Sequence, residues 1–189
     1  MLLLDNLREI FVVHFLSDIL IVNITPSTMS MTGYLKMVDD HDLLHLNSHP
    51  EQVEELIDQE CDKAELLDVD KTWAALHFAI AGDVYPDGDP ILVGAMVGQH
   101  IVDFDLDYGT PGYLLSEDVA ELVTQLDQIT EEDIEDALGS ERFQESDIYP
   151  FGNESEEEII EYVLPYFKKL RDFYRLAKEK GKGVLVLIM

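Results

Sequence analysis

Two periods of apolar and polar residues run along this chain of 189 residues, and they predict a mixed set of helices and strands. Val69, Trp73, Leu76, His77 and Ile80 recur at helical spacing. They predict a helix from Asp70 to Ala81, capped by the carboxylate of Asp68 or Asp70 and closed at Gly82. Gly33 to Val38 reads as a strand, ended by Asp39 or Asp40, either of which can cap a short helix through Leu46. Ser48-His49-Pro50 restarts a helix to about Cys61, with Val53, Leu56 and Ile57 on one side and Pro50 in a tolerated first-turn position. A turn-rich loop follows from Gly82 to Pro90. Ile91 to Val97 is apolar throughout and fits either a helix or a buried strand.

Further on, Ile101 to Leu106 and Tyr113 to Leu115 read as short strands. Ser116-Glu117-Asp118 opens a helix to about Gln128, and Thr130-x-x-Asp133 forms a capping box for another to Leu138. The last helix, Ser155 to Lys180, carries Ile159, Ile160, Val163, Phe167, Leu170, Tyr174 and Ala177 on one broad face. Pro165 is a potential kink, and Gly181 and Gly183 are stop signals. Val184 to Ile188 is apolar on both faces, as expected of a central strand covered on each side. No repeat or linker divides this pattern, which predicts a single α/β or α+β domain over residues 29–189.

Residues 1–28 differ from everything after them. Their apolar run IFVVHFLSDILIVNI is interrupted by His14, Ser17 and Asp18, and a central aspartate is costly in a membrane span. Asp5 precedes Arg8 and Glu9 where a signal peptide needs positive charge. The expectation is a translation start placed too far upstream; the alternative is an extra helix or edge strand docked on the domain.

Four stretches together resemble the YfbM-like family of small bacterial proteins, a domain-of-unknown-function family. They are Met31-Thr32-Gly33-Tyr34, Asp70-Lys71-x-Trp73-x-x-Leu76-His77-Phe78 ending at Gly82, Tyr113-Leu114 before the helix at Val119, and Asp147-Ile148-Tyr149-Pro150. The resemblance covers roughly Met29 to the C-terminus, includes the closing helix and strand, and implies a three-layer α/β/α sandwich. It also implies an arginine just before the Tyr113-Leu114 pair. This chain has Gly112 there, so an anion-binding role of that arginine does not transfer.

Charge narrows the functional classes. Forty acidic residues against 12 basic give a formal net charge of −28, which repels nucleic acid, phosphorylated surfaces and anionic membranes. The imbalance is concentrated in residues 29–167, which hold 35 acidic and 4 basic side chains, whereas residues 168–189 hold 2 acidic and 7 basic. Lys168, Lys169, Arg171, Arg175, Lys178, Lys180 and Lys182 are therefore expected to form a separate basic patch at one end. A single cysteine, Cys61, excludes an intrachain disulfide and suits a reducing, cytoplasmic setting. Glu60 and Asp62 beside it disfavour a reactive thiolate, so Cys61 is expected to be a buried or half-buried structural residue.

Candidate chemistry centres on His77, which as a general base needs a partner such as Asp70 or a tyrosine, with Trp73, Tyr113 and Tyr149 completing the candidate pocket. Its structural alternative is a core histidine bonded to a backbone carbonyl. His41-Asp42-Leu43-Leu44-His45 resembles the HExxH zinc motif but replaces glutamate by a shorter aspartate and lacks an evident third ligand, so solvated histidines are expected. Asp103, Asp105 and Asp107 have the spacing of calcium ligands, yet Tyr108 and Leu114 stand where a calcium loop needs glycine and glutamate. An alternating strand with Val102, Phe104 and Leu106 inward explains the same spacing. No cofactor motif is present. Two functions remain open: a non-catalytic acidic interaction domain that binds a basic protein, and a small hydrolase-like enzyme built around His77 and Trp73.

Overall fold

The computed structural model describes residues 11–15, 18–22, 31–106 and 109–189. The chain divides at Ser30/Met31 into two compact units. In the first, β1 (Phe11–Phe15) pairs antiparallel with β2 (Asp18–Val22), from Phe11 opposite Val22 to Phe15 opposite Asp18.

The second unit is an α/β domain built on a five-stranded sheet in the order β4-β3-β7-β6-β5. Its strands are β3 (Gly33–Val38), β4 (Leu66–Asp70), β5 (His100–Ile101), β6 (Gly112–Leu114) and β7 (Gly183–Ile188). Every neighbouring pair is antiparallel. The C-terminal strand β7 lies at the centre, pairing with β3 along its whole length and with β6 from Val184 to Val186. Its burial from Gly183 to Leu187 explains the apolar run on both faces.

Side-chain alternation divides the core into two layers of unequal size. Leu35, Met37, Val69, Leu114, Val184 and Val186 point to the larger layer. There they meet α3 (Trp73–Ala81), α5 (Ser116–Leu126), α6 (Glu131–Leu138) and α8 (Glu156–Lys180). Tyr113, Leu185 and Leu187 point the other way, to Leu43 and Leu46 of the α1 region (Asp40–His45) and Val53 of α2 (Val53–Asp58). The result is the three-layer arrangement, with a thin second helical layer.

The long helix α8 begins with a complete capping box. Ser155 Oγ accepts from the Glu158 amide while the Glu158 carboxylate accepts from the Ser155 amide, and Gly181 closes the other end at φ 63°. Pro165 lies inside this helix without ending it.

Several local expectations change in three dimensions. The helix expected from Asp70 begins at Trp73, because Leu66–Asp70 alternates with period two and joins the sheet edge as β4. Val69 is a buried strand residue, and neither Asp68 nor Asp70 caps α3. Asp68 instead accepts the Asp70 amide at 2.7 Å, while Asp70 turns the chain at φ 53°. Asp40 reaches across to α5, where its carboxylate accepts from the Ser116 amide and hydroxyl. Ile91–Val97 resolves into turns and the short helix α4 (Gly94–Val97). The expected strand Ile101–Leu106 is reduced to His100–Ile101 plus a single bridge from Leu106 to Gly109. Helix α7 (Glu141–Glu145), capped by Ser140, has no counterpart in the periodicity reading. Cys61 is exposed, contrary to its expected burial.

Candidate functional site

Three of the four resembling stretches meet at Trp73. Trp73 Nε1 donates to the Met31 carbonyl at 3.2 Å, and the Met31 amide donates to the Tyr149 hydroxyl at 3.2 Å. The Trp73 and Tyr149 rings lie 6.3 Å apart. Gly33 lies directly against this cluster: a Cβ there would stand 2.7 Å from Val69 Cγ2 and 2.9 Å from Trp73 Cβ.

His77 sits one helical turn further along α3 and is 1% exposed. Its Nε2–H donates to the Asp87 carbonyl at 2.6 Å, since a carbonyl only accepts. That bond assigns the proton to Nε2 in the neutral ring and leaves Nδ1 as a buried acceptor without a partner among the described residues. Burial pushes the His77 pKa below its ordinary value; the Asp87 carbonyl and the charges of Asp87 and Asp83 oppose the shift. Tyr85 covers the site edge-on, its ring 5.2 Å from both Trp73 and His77, and desolvation raises its pKa. The loop that carries Tyr85 and Asp87 is held from α7, where Arg142 donates to the Gly82 carbonyl and pairs with Asp83 at 2.5 Å. Sequence reasoning did not single out Arg142.

Asp70 is engaged elsewhere. Its Oδ2 accepts from the Tyr162 hydroxyl of α8 at 2.7 Å; desolvation, then this hydrogen bond and the Asp70 charge, pushes the Tyr162 pKa well up, and desolvation with the Asp70 charge second raises that of Tyr166. Tyr113 belongs to the opposite layer, where its hydroxyl donates to Asn47 Oδ1 at 2.9 Å and its ring stacks on His100 at 4.9 Å. The sheet therefore separates Tyr113 from His77, while Trp73 and Tyr149 are brought to the same cluster.

His41 and His45 lie parallel with centroids 6.5 Å apart, and His49 continues the stack 4.2 Å from His45. Among the described residues no group of three His, Cys, Asp or Glu side chains is placed to hold a metal ion. Asp103 and Asp105 are exposed, Val102 before them is buried, Phe104 and Leu106 are half-buried, and Asp107 lies outside the described residues.

Lys36 is a buried residue of β3 that composition alone did not flag. Its ammonium donates to the carbonyls of Leu56 (2.7 Å), Ile57 (3.1 Å) and Gln59, closing the C-terminal end of α2. Nor do the seven C-terminal basic residues form a free patch. Lys168 pairs with Glu131, Arg175 with Asp127 and Asp172, Lys180 with Glu65, and Lys182 with Asp39. Arg171 and Lys178 donate to the carbonyls of Ile129 and Ala120, and Lys169 lies over the Tyr166 ring. Six lie along α8 and Lys182 just beyond its end, and α8 itself and its neighbours supply the acidic partners.

A model of the family described as Domain of unknown function (DUF1877) matches residues 29–187. The chain belongs to this family. Protein YfbM of Escherichia coli (strain K12) is a similar protein, 26% identical over 168 residues that cover 85% of this chain and 99% of that protein. The fold resembles the crystal structure of a protein of unknown function, YfbM from Escherichia coli, with a TM-score of 0.67 at 24% identity, over 84% of this chain and 99% of that one. Within this DUF1877 member, the position before Tyr113-Leu114 is sterically restricted to glycine. A Cβ at that position would lie 1.8 Å from the Val97 carbonyl oxygen, so no side chain fits between β6 and the end of α4.

Proposed function

We propose that this DUF1877 member is a non-catalytic interaction domain whose acidic surface engages a basic protein partner, in a cytoplasmic setting. The observation that carries the reading is the fate of the basic side chains. Those of residues 168–189 are bound to acidic side chains, carbonyls or an aromatic ring within the domain, while acidic residues of α2, α6 and the first turns of α8 face solvent. The surplus negative charge is directed outward, where it accelerates encounter with a positively charged surface. The enclosure of His77 supports this reading over a hydrolase-like pocket, because a general base must reach the proton it abstracts. Among the described residues no helix is long and apolar enough to cross a membrane.

Affinity capture from lysate of the native host at two salt concentrations tests the proposal. The expected result is recovery of basic protein at low salt and its release by roughly 0.5 M, where screening reaches only a few ångströms. Recovery of no basic protein above background, or a partner indifferent to salt, overturns it.

A further inference from the structure

Asp87-Gly88 is the single pair in this chain in which glycine follows aspartate or asparagine. It lies in the Gly82–Pro90 loop over His77, and both residues are exposed. Glycine leaves its own amide unshielded by a side chain, and no larger residue fits. At φ 136° a Cβ on Gly88 would stand 2.6 Å from the Ala81 carbonyl oxygen.

The loop carries three aspartates, and two have their carboxylates engaged. Asp83 accepts the Val84 amide at 2.8 Å and pairs with Arg142. Asp89 accepts the amides of Ile91 and Leu92, both at 3.0 Å, and Pro90 after it has no amide hydrogen. The Asp87 carboxylate takes no hydrogen bond or ion pair among the described residues. Its backbone is the part that is held. The Asp87 amide donates to the Val84 carbonyl at 2.8 Å, its carbonyl accepts from His77 Nε2–H at 2.6 Å, and the Asp89 amide donates to the Ala81 carbonyl at 2.8 Å. The Gly88 amide between them has no acceptor among the described residues. The bond from His77 also draws electron density out of the Asp87–Gly88 peptide, which makes the Gly88 amide proton easier to lose.

We propose that Asp87 is a modification site, where the chain isomerises spontaneously to isoaspartate and so unfastens the loop from His77. The Gly88 nitrogen gives up its proton and attacks Asp87 Cγ. The new C–N bond closes a five-membered succinimide, and one carboxylate oxygen leaves as water with that proton and one from solvent. Water then adds to a ring carbonyl. Attack at Cγ restores aspartate, whereas attack at the main-chain carbonyl carbon breaks its bond to Gly88 and leaves isoaspartate. The water released is the water consumed, so no oxidant or other reactant is needed. In the product the main chain runs through Cγ and is one methylene longer. The oxygen that His77 holds then belongs to a pendant carboxylate, and the hydrogen bond no longer fastens the main chain.

The test ages the full chain at neutral pH and maps isoaspartate by mass spectrometry of protease fragments, alongside Asp87→Glu, which keeps the charge but would need a slower six-membered ring. Isoaspartate is expected to accumulate at position 87 severalfold above any other position, and to be lost from that position in Asp87→Glu. Hydrogen exchange of the Asp87 and Asp89 amides is expected to quicken severalfold in the aged parent and to stay unchanged in the aged variant. Isoaspartate spread evenly over the aspartates, or absent from position 87, overturns the site. Isoaspartate at position 87 with unaltered exchange in the loop overturns the unfastening.

Discussion

His77 donates its Nε2–H to the backbone carbonyl of Asp87 across 2.6 Å, joining the centre of α3 to the loop that covers it. The bond makes this histidine a fastener for the Gly82–Pro90 loop. Replacing it by alanine opens a cavity and removes the carbonyl's partner, at an expected cost of about 1–3 kcal/mol. Trp73→Ala is expected to cost about 3–5 kcal/mol, because it removes a larger buried ring and its bond to Met31. Urea denaturation of the two variants checks both values; a His77→Ala protein as stable as its parent contradicts the fastener role.

The lowered pKa of His77 gives stability a defined pH dependence. The unfolded chain takes up a proton near the ordinary histidine pKa while the folded chain resists it, so the unfolded state binds more protons between the two pKa values. Stability is therefore full above about pH 6.5 and falls as pH drops from there through the folded-state pKa, by at most roughly 1.4 kcal/mol per pH unit. His77→Leu is expected to flatten this dependence. Asp83 titrates in a more acidic range, because the Val84 amide and then Arg142 hold its carboxyl below the usual value, so its contribution is separable. Denaturation midpoints from pH 7.5 to 5 for the parent and His77→Leu decide the matter.

Lys36→Met leaves the carbonyls of Leu56, Ile57 and Gln59 without their common donor. The expected loss is about 1–3 kcal/mol, the range for part-buried acceptors that lose a charged donor. Hydrogen exchange should show the effect concentrated in α2, whereas uniform acceleration over the whole domain contradicts a local capping role.

Gly112→Ala places a methyl group 1.8 Å from the Val97 oxygen, far inside van der Waals contact, so β6 and α4 must separate. A loss of about 3 kcal/mol or more is expected from this overpacking. A glycine that is open to solvent, such as Gly152, provides the control, since a Cβ there meets nothing within 4 Å. Similar melting temperatures for Gly112→Ala and Gly152→Ala contradict the steric account.

Much of the domain was legible because local chemistry and final environment agree. The Thr130 and Ser155 capping boxes mark α6 and α8 in both views, and the doubly apolar run at the C-terminus marks the central strand. The resemblance to the YfbM-like family implied the layers, and three of its four stretches converge on Trp73. The histidine–carbonyl bond stood among the expectations for His77, although its partner, Asp87, was not identifiable from spacing.

Sequence by itself determined the charge surplus, the amphipathic helices and the buried character of β7, because each follows from side-chain type and period along a continuous segment. Tertiary structure alone decided that Val69 belongs to a sheet edge, that Asp70 serves Tyr162 instead of a helix end, and that Tyr113 lies across the sheet from His77. It also decided that the C-terminal cations are spent inside the domain and that Lys36 closes α2. The physical reason is common to all of these. Hydrogen bonds and ion pairs are satisfied by whichever groups the packed layers bring within about 3 Å, and for these residues the partners stand from 20 to 143 positions away in the chain.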